Sequence, residues 1–230
     1  MDITQTDPRA ALYLWYAHRR NSAAFYKKLA ALIPKSNSRV LDVGCGDGIL
    51  VLEIAERAAF VVGLDISPTL IEFARQRQIE SGKKNVEWVI ASVEAPPFCM
   101  QSFDHVISCM ALRLSNLDQS LPNLRQLVAP HGRIIIEDSV SVPPRFGFWL
   151  SHIWKTVRRI PSLYQFYGWQ GMWREVKYKF SSAGLQDAHL STKISPTRFI
   201  EIYQRHFPES DQRLDLVPGR LVWENKPKRQ

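Results

Sequence analysis

The sequence is poor in the features that mark metal-binding, secreted and membrane-spanning chains. Its three cysteines, Cys45, Cys99 and Cys109, form no CxxC pair and no Cys/His cluster at ligand spacing. A zinc module and a disulfide framework are therefore excluded, and no metal site is expected. So few cysteines, in odd number, fit a reducing interior. No apolar run approaches the roughly 18 residues needed to cross a bilayer. The opening "MDITQTDPRAALYLWYAHRR" lacks the basic start, apolar core and small-residue cleavage site of a signal peptide. A cytoplasmic location is expected. Internal repeats and low-complexity segments are also missing, which sets aside solenoids and extended disordered chains.

What is present suits one α/β domain with an elaboration. Across 230 residues, 45% are apolar and 23% charged, enough for a sizeable core. The net charge of +8 is unevenly spread. Residues 1–144 hold 15 basic against 15 acidic side chains, while residues 145–230 hold 15 against 7. Four of the seven tryptophans (Trp149, Trp154, Trp169, Trp173) crowd into residues 143–183. The neutral part reads as a cofactor-binding core and the basic, aromatic part as a substrate- or partner-facing addition.

Apolar spacing from Asn21 to Ile33 predicts a helix stopped by Pro34. "RVLDV" and "FVVGLD" are continuous, β-branched runs of the kind buried on both faces of a parallel sheet. Ser67 and Pro68 make an N-cap and first position for a helix to about Ile79. "NVEWVIAS", "SFDHVISCM" and "RIIIEDSV" supply three more strands, with a helix from Asp118 to Val128 and a "PHG" turn before the last. This alternation argues for right-handed crossovers and an open parallel sheet. "GLQDAHLSTKI" and "GRLVWENK" read as closing strands around a helix from Pro196 to His206. The expected organisation is a single domain: 1–34 N-terminal lid helices, 35–142 core, 143–183 aromatic basic insert, 184–230 closing strands.

The core is organised by "RVLDVGCGDGIL", where Gly44, Gly46 and Gly48 follow the first buried strand. A dinucleotide turn would be GxGxxG, and here the third glycine comes one place early. A pyrophosphate gains nothing from the neighbouring Asp42 and Asp47, whereas a cofactor bearing an ammonium or sulfonium charge does. A Walker loop is excluded, because no GK[ST] follows.

"VLDVGCGDG" is similar to the first motif of class I S-adenosylmethionine-dependent methyltransferases. "VVGLDIS", "VIASVEAPPF", "SFDHVISCMALRL" and "LRQLVAPHGRIII" resemble that family's later segments in the same order, over about residues 38 to 138. The resemblance implies a Rossmann-like, mostly parallel seven-stranded sheet with helices on both faces and a helical lid insert between strands five and six. It implies S-adenosylmethionine as cofactor. Asp42 would then orient the methionine amino group, and Gly44, Cys45 and Gly46 would bring backbone close to the methionine part. Asp65 would accept both ribose hydroxyls and Ile66 would pack on adenine. Val93 would offer a backbone amide, and Ser108 would contribute through its backbone. Ser92 stands where the family carries an adenine-binding Asp, and Arg113 where members often carry His; Ser92 keeps an acceptor but loses a charge. Cys45 and Cys109 are expected to be inert packing rather than nucleophiles.

The expected reaction is in-line methyl transfer to a small, hydrophobic or aromatic acceptor. "APPF" follows the third strand and lacks the Asn or Asp of the [ND]PP[YF] clamp, which argues against methylation of a nucleobase amine. His18 and His152 are candidates for a general base, with surface or packing roles as the alternative. In the insert, Phe146, Leu150, Ile153, Trp154, Val157 and Ile160 form one apolar stripe at helical spacing, with Lys155, Arg158 and Arg159 largely off it. Such a stripe faces either the core, with its basic side solvated, or an anionic membrane to which the protein is peripheral. Two other functions stay open: an RNA or protein methyltransferase using the basic C-terminal surface, and a non-catalytic cofactor-binding protein. No RNA-binding module is visible, and nucleic acid is not the expected partner.

Overall fold

The computed structural model describes residues 22–138, 147–182, 185, 196–208, 211–213 and 219–224. Strand and helix alternate through α1 (Ser22–Ala30), β1 (Arg39–Val43), α2 (Ile49–Ile54), β2 (Phe60–Asp65), α3 (Pro68–Ser81) and β3 (Val86–Ile90). They continue through β4 (Phe103–Cys109), α4 (Leu117–Leu127) and β5 (Val128–Asp138). These five strands pair in parallel in the order β3-β2-β1-β4-β5. After α5 (Phe148–Lys179) and α6 (Pro196–His206), the short β6 (Asp211–Arg213) and β7 (Gly219–Glu224) extend the sheet past β5 in antiparallel sense, with β7 innermost.

The sheet is covered on both faces, which is why its strands are apolar without alternation. On one face, Leu29 and Ile33, from α1 and its C-terminal end, pack with Leu50, Val51 and Ile54 of α2 and Ile71 of α3 against Val40, Val61, Ile107 and Ile135. On the other, Leu117, Leu121, Leu124 and Leu127 of α4 join Ile202 and Tyr203 of α6, with Phe207, over Leu41, Val62, Val106 and Ile134. Successive residues of one strand feed opposite cores, as the two-residue period of a strand requires.

Local signals account for the element ends. The Ser67 hydroxyl accepts from the Leu70 amide at 3.3 Å, Pro68 opens α3, and Gly82 closes it at φ 67°. The "PHG" segment is a bulge inside β5 rather than a turn before it. Phe103 lies opposite Val128 and His105 opposite Arg133, so β5 carries extra residues there, with His131 at φ 64°. The strand expected within "GLQDAHLSTKI" lies, apart from Leu185, outside the described residues. β6 was not foreseen, because three polar residues carry no periodicity to read.

The insert departs most from expectation. Helix α5 breaks at Gly168 (φ 64°, ψ −176°), a conformation open to glycine, and its two arms fold back on each other. His152 Nε2 lies 3.0 Å from the Lys179 carbonyl oxygen, and the His152 and Phe180 rings meet edge to face at 5.3 Å. Thr156, Met172 and Glu175 are buried in the seam. The stripe expected to face the core points outward instead: Leu150 is 67% and Trp154 61% exposed. Phe146 lies outside the described residues. The arms pack through a neighbouring row spaced by four, His152 and Thr156, which leaves the apolar row in solvent.

Trp88 of β3 holds the central region together. Side chains added at Gly63 on β2 or at Gly48 after β1 would run into its indole, so the ring occupies space that two missing Cβ atoms leave. Its Nε1–H donates to Gln78 Oε1 at 2.6 Å. Gly63→Ala is expected to lower the unfolding free energy in urea by about 1–3 kcal/mol through overpacking. In a Trp88→Ala background that penalty should vanish; a penalty that persists would show that the indole is not its cause.

Candidate cofactor site

The cleft lies where the strand order reverses, outside the carboxyl ends of β1, β2 and β4, the place where open α/β sheets bind their ligands. It holds about 180 Å³ and is lined by Val43, Gly44, Asp65, Ile66, Ser92, Val93, Ala111, Leu114 and Ser115, among others. Of the nine residues expected to hold the cofactor, Gly44, Asp65, Ile66, Ser92 and Val93 are on this wall. Ile66 stands 71% exposed at the rim.

The glycine turn is clamped by the end of β2. The amides of Gly44 and Cys45 donate to the Leu64 carbonyl at 2.7 and 3.0 Å. The Gly46 amide donates to Asp65 Oδ2 and the Ser67 amide to Asp65 Oδ1, both at 2.9 Å. Gly44, Gly46 and Gly48 all have positive φ, and a side chain at Gly44 would collide with the Cβ of Ala111. Asp65 thus carries a structural duty, holding the glycine turn and the residue that caps α3.

Asp42 and Asp47 differ sharply. Asp47 is fully buried, but Arg77 of α3 reaches it with Nη2 at 2.9 Å from Oδ2, so its charge is balanced within the protein. Asp42 is equally buried, and neither of its oxygens has a hydrogen-bond partner. Burial, helped by the nearby charge of Asp65, pushes its carboxyl up to about 8. Of the two acids beside the turn, only Asp42 is left without a partner inside the protein. A buried carboxylate without a partner is costly, and an ammonium group would satisfy it.

The other expected residues have local tasks. Ser108 donates to the Val43 carbonyl at 2.9 Å, tying β4 to β1. The thiol of Cys45 is raised well above its usual range, by burial first and then by Asp42, so it is inert packing. Ser92 Oγ accepts from the Glu94 amide at 3.1 Å within its own turn. The Val93 carbonyl accepts from Asn123 Nδ2 at 3.0 Å, which anchors the loop to α4. His152 belongs to the α5 seam and not to the cleft lining. His18 lies outside the described residues.

Asp138, at the end of β5, went unnoticed in the sequence. It is buried, its Oδ2 accepts from the Arg113 amide at 2.8 Å, and its Oδ1 lies 3.5 Å from Arg113 Nη1. The same Nη1 donates to the Met110 carbonyl at 2.5 Å, and Met110 itself is held at φ 61°. Arg113 therefore ties the loop after β4 to the end of β5. The pair "ED" closing an apolar strand was the available signal, since acids rarely end a buried run without a partner.

An open parallel sheet, a glycine turn clamped by the second strand's terminal acid and a partnerless carboxylate beneath it define a cofactor domain of the class I methyltransferase kind. Residues 34–184 match the family model described as "Methyltransferase domain", and the chain belongs to that family. An uncharacterized methyltransferase of Mycobacterium tuberculosis is 31% identical over 127 residues, 55% of this chain and 63% of that protein. Aklanonic acid methyltransferase of a Streptomyces species is 33% identical over 119 residues, 50% of this chain and 54% of that one. Demethylmenaquinone methyltransferase of Tropheryma whipplei is 32% identical over 135 residues, 58% of this chain and 53% of that one. The chain thus spans between half and two thirds of these relatives. A methyltransferase structure from Aquifex aeolicus shares the fold, with TM-score 0.61 and 14% identity over 91% of this chain and 95% of its own. S-adenosylmethionine is the cofactor of this class, and the cleft fits it: Asp42 for its ammonium group and the cleared backbone at Gly44.

The Asp42 carboxyl sits near 8 in the folded protein against 3.8 in the unfolded chain, so the folded state holds the extra proton between those values. Asp42 thus contributes stability below about pH 4 that is lost as pH rises through 8. The ligand-free melting temperature should fall more from pH 5 to 9 in the wild type than in Asp42→Asn. Calorimetry in buffers of different ionisation enthalpy should show S-adenosylmethionine displacing close to one proton at about pH 7 from wild type and none from Asp42→Asn.

Proposed function

We propose that the protein transfers a methyl group from S-adenosylmethionine to a small, apolar or aromatic acceptor. The observation that carries the cofactor part is the buried, partnerless Asp42 under the glycine turn. When bound, S-adenosylmethionine supplies a sulfonium-activated methyl group, which the acceptor takes by in-line displacement. The residues of this chain bind, orient and shield. Asp42 gives up its proton and pairs with the ammonium group. Gly44 and Gly46 admit the methionine part, Asp65 receives the ribose hydroxyls, and Ile66 lies against the adenine. Ser92 and Val93 face the same wall. Positioning of this kind is worth several kcal/mol, up to about 11, in a two-reactant step.

Two observations support a small apolar acceptor. Leu114, half exposed on the cleft rim after β4, offers an apolar contact outside the residues assigned to the cofactor. The relatives named for aklanonic acid and demethylmenaquinone carry the names of small molecules.

Asp65→Ala should weaken S-adenosylmethionine binding by about 100-fold, the value of two hydrogen bonds to a charged group at roughly 1.5 kcal/mol each. Near-wild-type affinity in a calorimetric titration would refute the ribose assignment. For the acceptor, the protein with methyl-labelled S-adenosylmethionine and a host extract should place label in extractable small molecules. Label confined to RNA or protein would replace this reading, and tight cofactor binding with no labelled product would point to a non-catalytic role.

A further inference from the structure

We propose that the α5 hairpin is a docking surface for an anionic lipid bilayer. The inference does not rest on the methyl-transfer reading, since it concerns a face that shares no residue with the cofactor cleft.

Both arms turn apolar rows to the same side. At about 100° per residue, Leu150, Ile153, Trp154, Val157 and Tyr164 fall within an arc of roughly 100° on the first arm. On the second, Trp169, Trp173, Val176 and Phe180 fall within roughly 60°. The two rows meet across an open groove of about 570 Å³ lined by Ile160, Tyr164, Trp169, Met172, Trp173 and Val176. This is no buried seam: Trp154 and Trp169 are 61% and 62% exposed, and Trp173 stacks edge to face on Trp169 with centroids 5.7 Å apart. So large an exposed aromatic face marks an interaction surface.

The charge pattern selects the partner. Residues 148–180 contain six basic side chains and one acid, Glu175. That acid is buried in the seam, with Lys179 Nζ 3.7 Å away, so the outer surface of the hairpin presents cations alone. At the same 100° per residue, Arg158 and Lys177 edge the apolar rows, and no cation interrupts either row. Arg158 lies beside Trp154, its guanidinium 5.1 Å from the ring centroid, and Arg174 and Lys177 follow Trp173 around the second arm. Tryptophan and tyrosine over an apolar row, edged by Lys and Arg, is the arrangement that settles at the lipid headgroup boundary. No helix among the described residues is long and apolar enough to cross a membrane, so the hairpin lies in the surface rather than spanning it. A second copy is disfavoured, because face-to-face pairing sets one cationic rim against another.

The test is flotation of the full chain with vesicles of phosphatidylcholine alone and of phosphatidylcholine mixed with phosphatidylglycerol. The protein should bind the anionic vesicles at least about tenfold more tightly than the neutral ones, with binding that falls as salt rises. Removing three cations in Arg158→Ala/Arg174→Ala/Lys177→Ala should weaken binding about 100-fold, at about fivefold per cation. Trp154→Ser/Trp169→Ser/Trp173→Ser should abolish it and remove a blue shift of tryptophan emission. These side chains are exposed, so both variants should keep wild-type S-adenosylmethionine affinity without vesicles. That readout separates misfolding from lost docking. Equal binding to neutral vesicles, no binding at all, or binding that survives both variants overturns the proposal. Salt-sensitive RNA retention without vesicle binding, or a concentration-dependent dimer that the tryptophan variant dissolves, assigns the face to that other partner.

Discussion

The close approach of β1 and β2 at their carboxyl ends governs the rest of the structure. Leu64 and Asp65 take three amides from the glycine turn with one carbonyl and one carboxylate oxygen, drawing it down onto β2. That geometry is possible only where Cβ atoms are missing. Gly44 lies against Ala111, while Gly48 and Gly63 make room for the Trp88 indole. At Gly44, Gly48 and Gly63 a missing Cβ lets backbone pass close to a neighbouring side chain or ring. The cleft is the space left outside this contact, and its shape follows from the clamp rather than from any one lining residue.

Asp42, Asp47 and Asp138 are all buried carboxylates, and their partners sort their roles. Asp47 is balanced by Arg77, and Asp138 is held by the backbone and guanidinium of Arg113. Asp42 has neither, and burial keeps its proton on. A buried acid answered by a guanidinium is part of the architecture; a buried acid answered by nothing inside the chain is prepared for a charge from outside. The sequence shows all three as single letters in apolar surroundings, and only packing separates them.

The same holds for the insert. Its apolar spacing was legible. Which row would be covered was not. Leu150 and Trp154 form a better stripe than His152 and Thr156, yet the arms close on the latter. A hairpin seam between two crowded arms favours small or polar side chains that permit close approach, and Trp154, Trp169 and Trp173 are left outside. Periodicity reports that a face exists, not what meets it.

Local chemistry was enough for much of this protein. Continuous β-branched runs, a serine–proline helix start and glycines after the first strand specify a parallel α/β sheet, because those patterns depend on neighbours within a few residues. Asp42 and Gly44 stood out in the glycine turn itself, whereas Asp65, Ile66, Ser92 and Val93 were assigned to the ligand only through the resemblance of the later segments to the family's. Tertiary structure alone decided that Asp47 is satisfied and Asp42 is not, that Arg113 grips Asp138, and that the tryptophan-rich stripe faces outward. Each of those outcomes turns on a partner far off in sequence, and a charge or an apolar face acquires its meaning only from what lies opposite it.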